Sequence, residues 1–177
     1  MSANERLIIP YKGLKDGWHN FIYKIDDKFF TSLEYSEVKK GNLVLEINLN
    51  KSSHLLSLEY SIKGQLCVVC DRCLDYFNMK LDNSGKFYIK FSDEKEDNDE
   101  GCMTISQNDD SVEITHYIYE SIILNLPSQR LHPLNSNGKS TCNKLMIKKL
   151  NKLNIQKNSK IVLDSRWEKL NEIIIKR

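Results

Sequence analysis

Three of the five cysteines lie within one short stretch, Cys67-Val-Val-Cys70-Asp-Arg-Cys73-Leu74. A Cys-x-x-Cys step lets two thiolates converge on one tetrahedral metal ion, because the turn between them directs both side chains the same way. Arg72 lies inside the step, where its positive charge favours the thiolate form of a neighbouring cysteine. Segments of alternating apolar residues precede and follow this stretch, so we expect it to join two strands.

A second pair of metal ligands is available from His132 and Cys142. Together with Cys70 and Cys73 they make three thiolates and one imidazole, which is an acceptable set for structural zinc. Closed zinc sites usually draw each half from a tight step, whereas His132 and Cys142 are ten positions apart. This spacing favours the alternative, in which the thiols are small buried hydrophobic side chains. Both interpretations stay open, and Cys67 is expected in the core.

Catalytic chemistry is not predicted. A redox Cys-x-x-Cys normally opens a helix, which lowers the pKa of its thiol, but this one is expected between strands. A nucleophilic cysteine needs a histidine held nearby, and no spacing links any of the four histidines to a cysteine. The sequence has no phosphate-binding glycine loop, no Gly-x-Ser-x-Gly and no His-Glu-x-x-His. We therefore expect a protein that is not an enzyme.

Composition indicates the class of protein. The chain has 177 residues, 40% of them hydrophobic, which is enough for the core of a single domain. Its polar N-terminus does not resemble a signal peptide, and no apolar run reaches the roughly 18 residues of a membrane span. We therefore expect a cytoplasmic protein with no membrane partner. Because cytosolic thiols stay reduced, a disulfide framework is not expected.

Charge is unevenly distributed along the chain. Residues 1–143 contain 16 basic and 21 acidic side chains, whereas residues 144–177 contain 10 basic and 3 acidic ones. A basic tail on an acidic body favours a polyanionic partner such as RNA, although a solvated lysine-rich helix face is the simpler explanation. If RNA binds, the predicted phosphate contacts are Arg72, Lys144, Lys148, Lys149, Lys152, Arg166 and Lys169.

Alternating apolar positions predict a sheet. The predicted strands are 6–11, 19–26, 41–49, 54–69, 76–81, 87–91 and, briefly, 102–107. Gly64 is expected to mark a bulge or a bend, and residues 82–85 (Asp-Asn-Ser-Gly) a turn. Because four of these strands follow one another as a meander, we expect a curved antiparallel sheet, partly closed into a barrel.

Helices are expected around the sheet, which makes the predicted fold a single α+β domain over residues 1–177. The predicted helices are 27–38, one capped at 109–111 and ending at Pro127, one capped at Ser140 or Thr141, and a last one capped by Asp164. Residues 92–101, with six acids and one lysine, are expected to form a mobile loop. Residues 141–177 are expected to form a basic helical C-terminal region.

These motifs together resemble a known family. Cys70-Asp-Arg-Cys73-Leu at the end of a long strand resembles the Cys-x-Arg-Cys-Leu signature of the YceD-like proteins, the large ribosomal RNA subunit accumulation proteins of bacteria and plastids. An acidic helix ending in Leu126-Pro follows, and Asp164-Ser-Arg-Trp-Glu-Lys-Leu170 is similar to the closing Asp-Pro-Arg-Trp-x-x-Leu of that family. Many relatives carry a second cysteine pair where this chain has one histidine and one cysteine.

The resemblance implies a function. It implies a non-enzymatic role in the accumulation or processing of large-subunit ribosomal RNA, through binding of the RNA, its precursor or the pre-large-subunit particle. It also implies a large-subunit ribosomal protein as a neighbour. The alternative is an interaction adaptor, which binds a large-subunit ribosomal protein or an assembly factor and affects the RNA indirectly.

Overall fold

The computed structural model describes residues 6–91, 102–106 and 108–153. The predicted acidic loop at 92–101 and the predicted last helix, with Arg166 and Lys169, lie outside the described residues. The elements in chain order are β1 (Ile8–Pro10), β2 (Gly17–Ile25), α1 (Asp27–Ser32), β3 (Lys40–Lys51), β4 (Leu55–Val69), β5 (Tyr76–Phe91), β6 (Cys102–Ile105), β7 (Ser111–Glu113), α2 (Thr115–Leu124) and α3 (Lys144–Leu153).

The main sheet has five strands in the order β2-β3-β4-β5-β6, and a small second sheet pairs β1 with β7. The first four strands are antiparallel neighbours, as the meander pattern predicts. β6 runs parallel to β5, with Tyr88 opposite Cys102, so the sheet is mixed and the prediction of a wholly antiparallel sheet is wrong. Predicted closure into a barrel is not confirmed, because β2 and β6 stand at opposite edges of an open sheet.

Two local predictions within the long strands are wrong. Asp82–Gly85 is not a turn, because β5 continues through it, with Gly85 paired to Tyr60 of β4. A Cβ atom on Gly85 would lie 2.6 Å from Cζ of Tyr60, so the glycine makes room for that ring. Gly64 is not a bulge, because its pairing is continuous on both sides. It has φ +153° and allows the strands to approach closely, since its Cβ would lie 2.8 Å from Leu43 Cα.

The main core lies on one face of the sheet. Alternate residues of β3 and β4 are buried, and the described residues of β1, β7, α1 and α2 contribute to the same cluster. The hydroxyls of Tyr60 and Ser121 lie 2.7 Å apart and join β4 to α2. α2 starts at Thr115, later than predicted, because 111–113 pair with β1 as β7. α1 ends at Ser32, so it is also shorter than predicted.

A second, smaller apolar cluster forms beyond the end of β4. It consists of the buried Cys70, Cys73 and Cys142, with Met146, Ile147 and Phe77 packed against it. Contacts of Met146 and Ile147 attach α3 to the rest of the protein at this cluster, and α3 itself has no fully buried residue. Cys67 is only half-buried and lies on the other face of β4, so its predicted core position is wrong. None of the described helices has the length and apolar character needed to cross a membrane.

Candidate metal centre

The first half of the candidate site is the turn that joins β4 to β5. The Leu74 N–H donates to the Cys70 carbonyl at 2.9 Å, and the Cys70 N–H donates to the Asp75 carbonyl at 2.9 Å. Leu74 has φ 64°, a left-handed conformation that sends the backbone back toward β5. This tight turn buries the thiols of Cys70 and Cys73 together, as the Cys-x-x-Cys spacing predicts.

The second half is a hairpin within the loop between α2 and α3. Leu134 and Ser140 form an antiparallel bridge, and the Asn135 side chain accepts hydrogen bonds from backbone N–H groups two and four residues later. In the same antiparallel register, positions 132 and 142 also face one another across the hairpin. The ten-residue gap between His132 and Cys142 is therefore a closed hairpin, which brings both side chains to one place.

Hydrogen bonds join the two halves. The Asp71 N–H donates to the Arg130 carbonyl at 2.9 Å, and the Arg130 N–H donates to the Asp71 carboxylate at 2.6 Å. On the other side, the Asn143 amide donates to the Asp75 carboxylate at 3.0 Å. Asn143 also caps α3, since its side-chain oxygen accepts from the Leu145 N–H at 3.0 Å. The helix therefore starts at the site, two or three residues later than predicted.

The four candidate ligand atoms form a compact cluster, in which all lie within 4.8 Å of one another. The Sγ atoms of Cys70 and Cys142 are 3.9 Å apart, and His132 Nδ1 lies 3.4 Å from Cys73 Sγ and 3.8 Å from Cys142 Sγ. Zinc bonds of about 2.3 Å to sulfur and about 2.0–2.1 Å to nitrogen give tetrahedral edges of about 3.8 Å (S–S) and about 3.5 Å (S–N). The cluster therefore has the size of a tetrahedral zinc site and could hold such an ion.

The surroundings of the thiols favour a bound cation. Burial raises the pKa of Cys70, but backbone N–H groups of Cys73 and Arg72 and the His132 ring outweigh it, lowering this pKa to about 6. Burial also raises the pKa of Cys73, against N–H groups of Asn143 and Asp75, and the neighbouring thiols raise it further. One thiolate is thus favoured by the protein alone, whereas full ionisation of the cluster calls for a positive charge at its centre.

A comparison with family models identifies the chain. The model described as "Large ribosomal RNA subunit accumulation protein YceD" matches residues 58–173, about two thirds of the sequence. The chain belongs to the YceD family. The YceD match contains both halves of the metal cluster, and it begins inside β4, so the first three strands lie before it. No curated protein and no solved structure matches the chain.

The structure also places most of the predicted RNA-binding residues. Arg72, from the cysteine turn, lines a cavity of about 310 Å³ together with Lys144 and Lys148 of α3; we call these three residues the basic cleft. Lys149 and Lys152 are exposed on α3. At 3.6 residues per turn, Lys149 lies about 140° around the helix from Lys144. The predicted set is therefore brought together only in part.

Sequence reasoning underestimated the second half of the metal site. The missed signal was Asn137-Gly138, a turn dipeptide placed midway between His132 and Cys142. Gly138 has φ 70°, as such a turn requires. The hydrogen bonds of Asp71 with Arg130 and of Asn143 with Asp75 could not be inferred, because these partners are far apart in the sequence and no motif links them.

Leu74→Gly is expected to raise the free energy of unfolding by about 0.5–1 kcal/mol. A non-glycine residue in the left-handed conformation destabilises the folded state by about 1–2 kcal/mol, and glycine removes this strain. Glycine also has more conformational entropy in the unfolded state, which offsets about 0.4–1 kcal/mol of the gain. Little burial is removed, because Leu74 is 64% exposed. Urea unfolding of the purified protein measures the change. Leu134→Gly is the control: it removes an equally exposed leucine without a positive φ, and no gain is expected.

Proposed function

We propose that this YceD-family protein binds large-subunit ribosomal RNA or its precursor and supports RNA accumulation without catalysing a reaction. The family description supplies the role in accumulation of large-subunit ribosomal RNA. The observation that carries direct RNA binding is the basic cleft, where a cation of the cysteine turn and two cations of α3 face one space. None of the described residues that line this cleft is acidic.

The metal site supports this function by holding α3 in a fixed position. We propose that zinc is held by Cys70, Cys73, His132 and Cys142, whose four ligand atoms leave no open position for water or substrate. Such an ion is structural. It fixes the position of α3, which is attached mainly through this cluster, and so it fixes the spacing of Lys144 and Lys148 from Arg72.

Phosphate contacts are the expected mode of binding. α3 carries four lysines and no acidic residue, and its lysines are exposed. Lysine and arginine side chains bind the RNA backbone by neutralising phosphates and releasing counterions, which orients the protein without reading the sequence. Sequence preference then has to come from other interactions.

A protein-interaction adaptor is the second candidate. α3 is amphipathic, yet Leu145 is 70% exposed and Leu153 is 79% exposed, so part of its apolar face is uncovered among the described residues. A large-subunit ribosomal protein or an assembly factor with an apolar groove could cover these leucines. The RNA would then be affected indirectly.

Crosslinking in living cells tests the proposal. The tagged full chain is crosslinked to RNA with ultraviolet light and purified under denaturing conditions, and the attached RNA is sequenced. Enrichment of large-subunit ribosomal RNA or its precursor is expected, together with affinity of the purified protein for the naked RNA in moderate salt. An adaptor would show no affinity for naked RNA and would recover ribosomal RNA only together with a protein partner, which would overturn the proposal.

A further inference from the structure

A second cavity, larger than the basic cleft, lies where β4 ends and β5 begins, beside the cysteine turn. Its volume is about 550 Å³. Its apolar lining, which we call the floor, consists of Val38, of Cys67, Val68 and Val69 in β4, and of Tyr76 in β5. Its charged lining, which we call the rim, consists of Lys39, Lys40, Arg130 and Glu37.

We infer that this cavity binds one unstacked base of single-stranded RNA, with Tyr76 as the stacking surface and Lys39 and Lys40 bound to flanking phosphates. The inference rests on the proposed RNA-binding function and deepens it. The basic cleft is proposed to bind only phosphates, and this second cavity would bind a base. Concave, mainly apolar sites with a few polar groups at the rim are typical of small-ligand pockets.

The floor has the chemistry of a stacking site. Tyr76 is 72% exposed, which is high for an aromatic residue at the start of a long strand. It is directly opposite Val69 in the β4–β5 register, so the ring lies beside an apolar neighbour. A base could stack on the ring and cover the valine, and such base–aromatic stacking tolerates any base.

The rim has the charge that a nucleotide requires. Arg130 pairs with the Glu37 carboxylate at 3.1 Å and with the Asp71 carboxylate at 3.7 Å, so its charge offsets that of Glu37, the one acid among the described residues that line the cavity. Lys39 Nζ lies 3.3 Å from a backbone carbonyl, that of Glu34. Neither Lys39 nor Lys40 forms an ion pair with an acidic residue in the described part of the chain. An apolar floor beside unpaired cations fits a nucleotide better than an uncharged apolar side chain.

Position links this cavity to the basic cleft. Val69 and Tyr76 flank the turn at 70–73, and Arg72 of that turn lines the basic cleft. Arg130 of the cavity rim is bonded to Asp71 of the same turn. One RNA strand crossing the turn can therefore place phosphates in the cleft and a base in the cavity.

The test is fluorescence anisotropy with a labelled single-stranded RNA of about 12 nucleotides, within the usual site sizes for single strands. Tyr76→Ala is expected to weaken binding about tenfold while leaving the slope of log K against log salt unchanged, because stacking involves no counterion release. Tyr76→Phe should retain the affinity. Combined Lys39→Gln and Lys40→Gln should flatten the slope by about 1.4, because each phosphate of a single strand that is no longer neutralised changes it by about 0.7.

Trp18→Ala is the matched control. Trp18 is a 62% exposed aromatic residue of β2, and it pairs through Asn50 with Ser57, twelve residues before Val69 on the same face of β4. The Trp18→Ala variant should bind the RNA with the same affinity as the unmodified protein. An abasic oligonucleotide of the same length should have equal affinity for the Tyr76→Ala variant and for the unmodified protein.

Three results would overturn the inference, and the third would also overturn the proposed function. If Tyr76→Ala binds as well as the unmodified protein while charge reversal at Lys144 and Lys148 abolishes binding, the cavity is not a base site and the proposed function stands. Equally weakened binding in Tyr76→Ala and Trp18→Ala would also remove it, because stacking would not be specific to the cavity. If the unmodified protein binds no RNA at any salt concentration, the proposed function fails as well.

Discussion

Replacement of Cys142 by serine is expected to abolish stoichiometric zinc binding and to release α3 from the sheet, while the main core stays folded. Cys142 supplies one of four ligand atoms that lie within 4.8 Å of one another. Loss of a partner that merely supports a ligand lowers metal affinity about 10- to 100-fold, so loss of a ligand should lower it by more than about 100-fold.

The local character of the unfolding follows from the two separate clusters. The main core does not include Cys70, Cys73 and Cys142, which form their own group with Met146 and Ile147; Phe77 packs against both groups. Without the ion, α3 would be held in the described part of the chain by the packing of two half-buried side chains, Met146 and Ile147, and by the hydrogen bond from its cap, Asn143, to Asp75. A helix of ten residues is marginal in water without such support. Backbone amide exchange should therefore accelerate in α3 and in the 130–143 loop, with β3 and β4 unchanged.

Elemental analysis of protein purified without a metal-binding tag measures the zinc content. Cys67→Ser is the matched control, since this half-buried cysteine lies on the opposite face of β4 and should leave the zinc content unchanged. An unmodified protein that contains no zinc and takes up none on refolding would contradict the assignment. Equal zinc content in the Cys142→Ser variant would contradict it too.

Charge reversal of two cleft lysines, Lys144→Glu with Lys148→Glu, is expected to weaken RNA binding by about 10- to 100-fold at moderate salt. Each lysine that binds a phosphate contributes about 0.7 (single strand) to 0.9 (duplex) to the slope of log K against log salt, so the slope should fall by about 1.4–1.8. Both residues line one cavity with Arg72, so reversal also places negative charges beside the RNA backbone. Anisotropy or filter binding over a range of salt concentrations measures both quantities.

Lys149→Glu is the matched control for these lysines. It changes the same type of residue on the same helix, and Lys149 does not line the basic cleft. Its effect should be smaller than that of Lys144→Glu alone. Zinc content and helix content of all variants should stay equal, which separates an effect on RNA binding from an effect on folding. Equal effects of the two single changes would show that binding depends on net charge and not on the cleft.

Patterns that act over neighbouring residues were predicted well. The strands at 41–49 and 54–69 are present as β3 and β4, because one face of each is buried and the side-chain period of a strand is two. The short strand at 102–107 is also present, as β6, although its alternation did not reveal that it pairs parallel to β5. The false turn at 82–85 has the opposite origin: its polar sequence is typical of turns, but Tyr60 of the neighbouring strand requires Gly85 within β5.

The order of residues alone determined the cysteine turn, the alternating strands and membership of the YceD family, because each depends on positions only a few residues apart or on a fixed succession of motifs. Only the tertiary structure decided that His132 and Cys142 complete the cluster, that Arg72 faces Lys144 and Lys148, and that Tyr76 lines a cavity. These facts depend on hairpin register and on hydrogen bonds such as Asp71 to Arg130, which join residues far apart in the chain. The sequence therefore showed which side chains could bind a metal or phosphate, whereas their assembly into sites required distant segments to pack together.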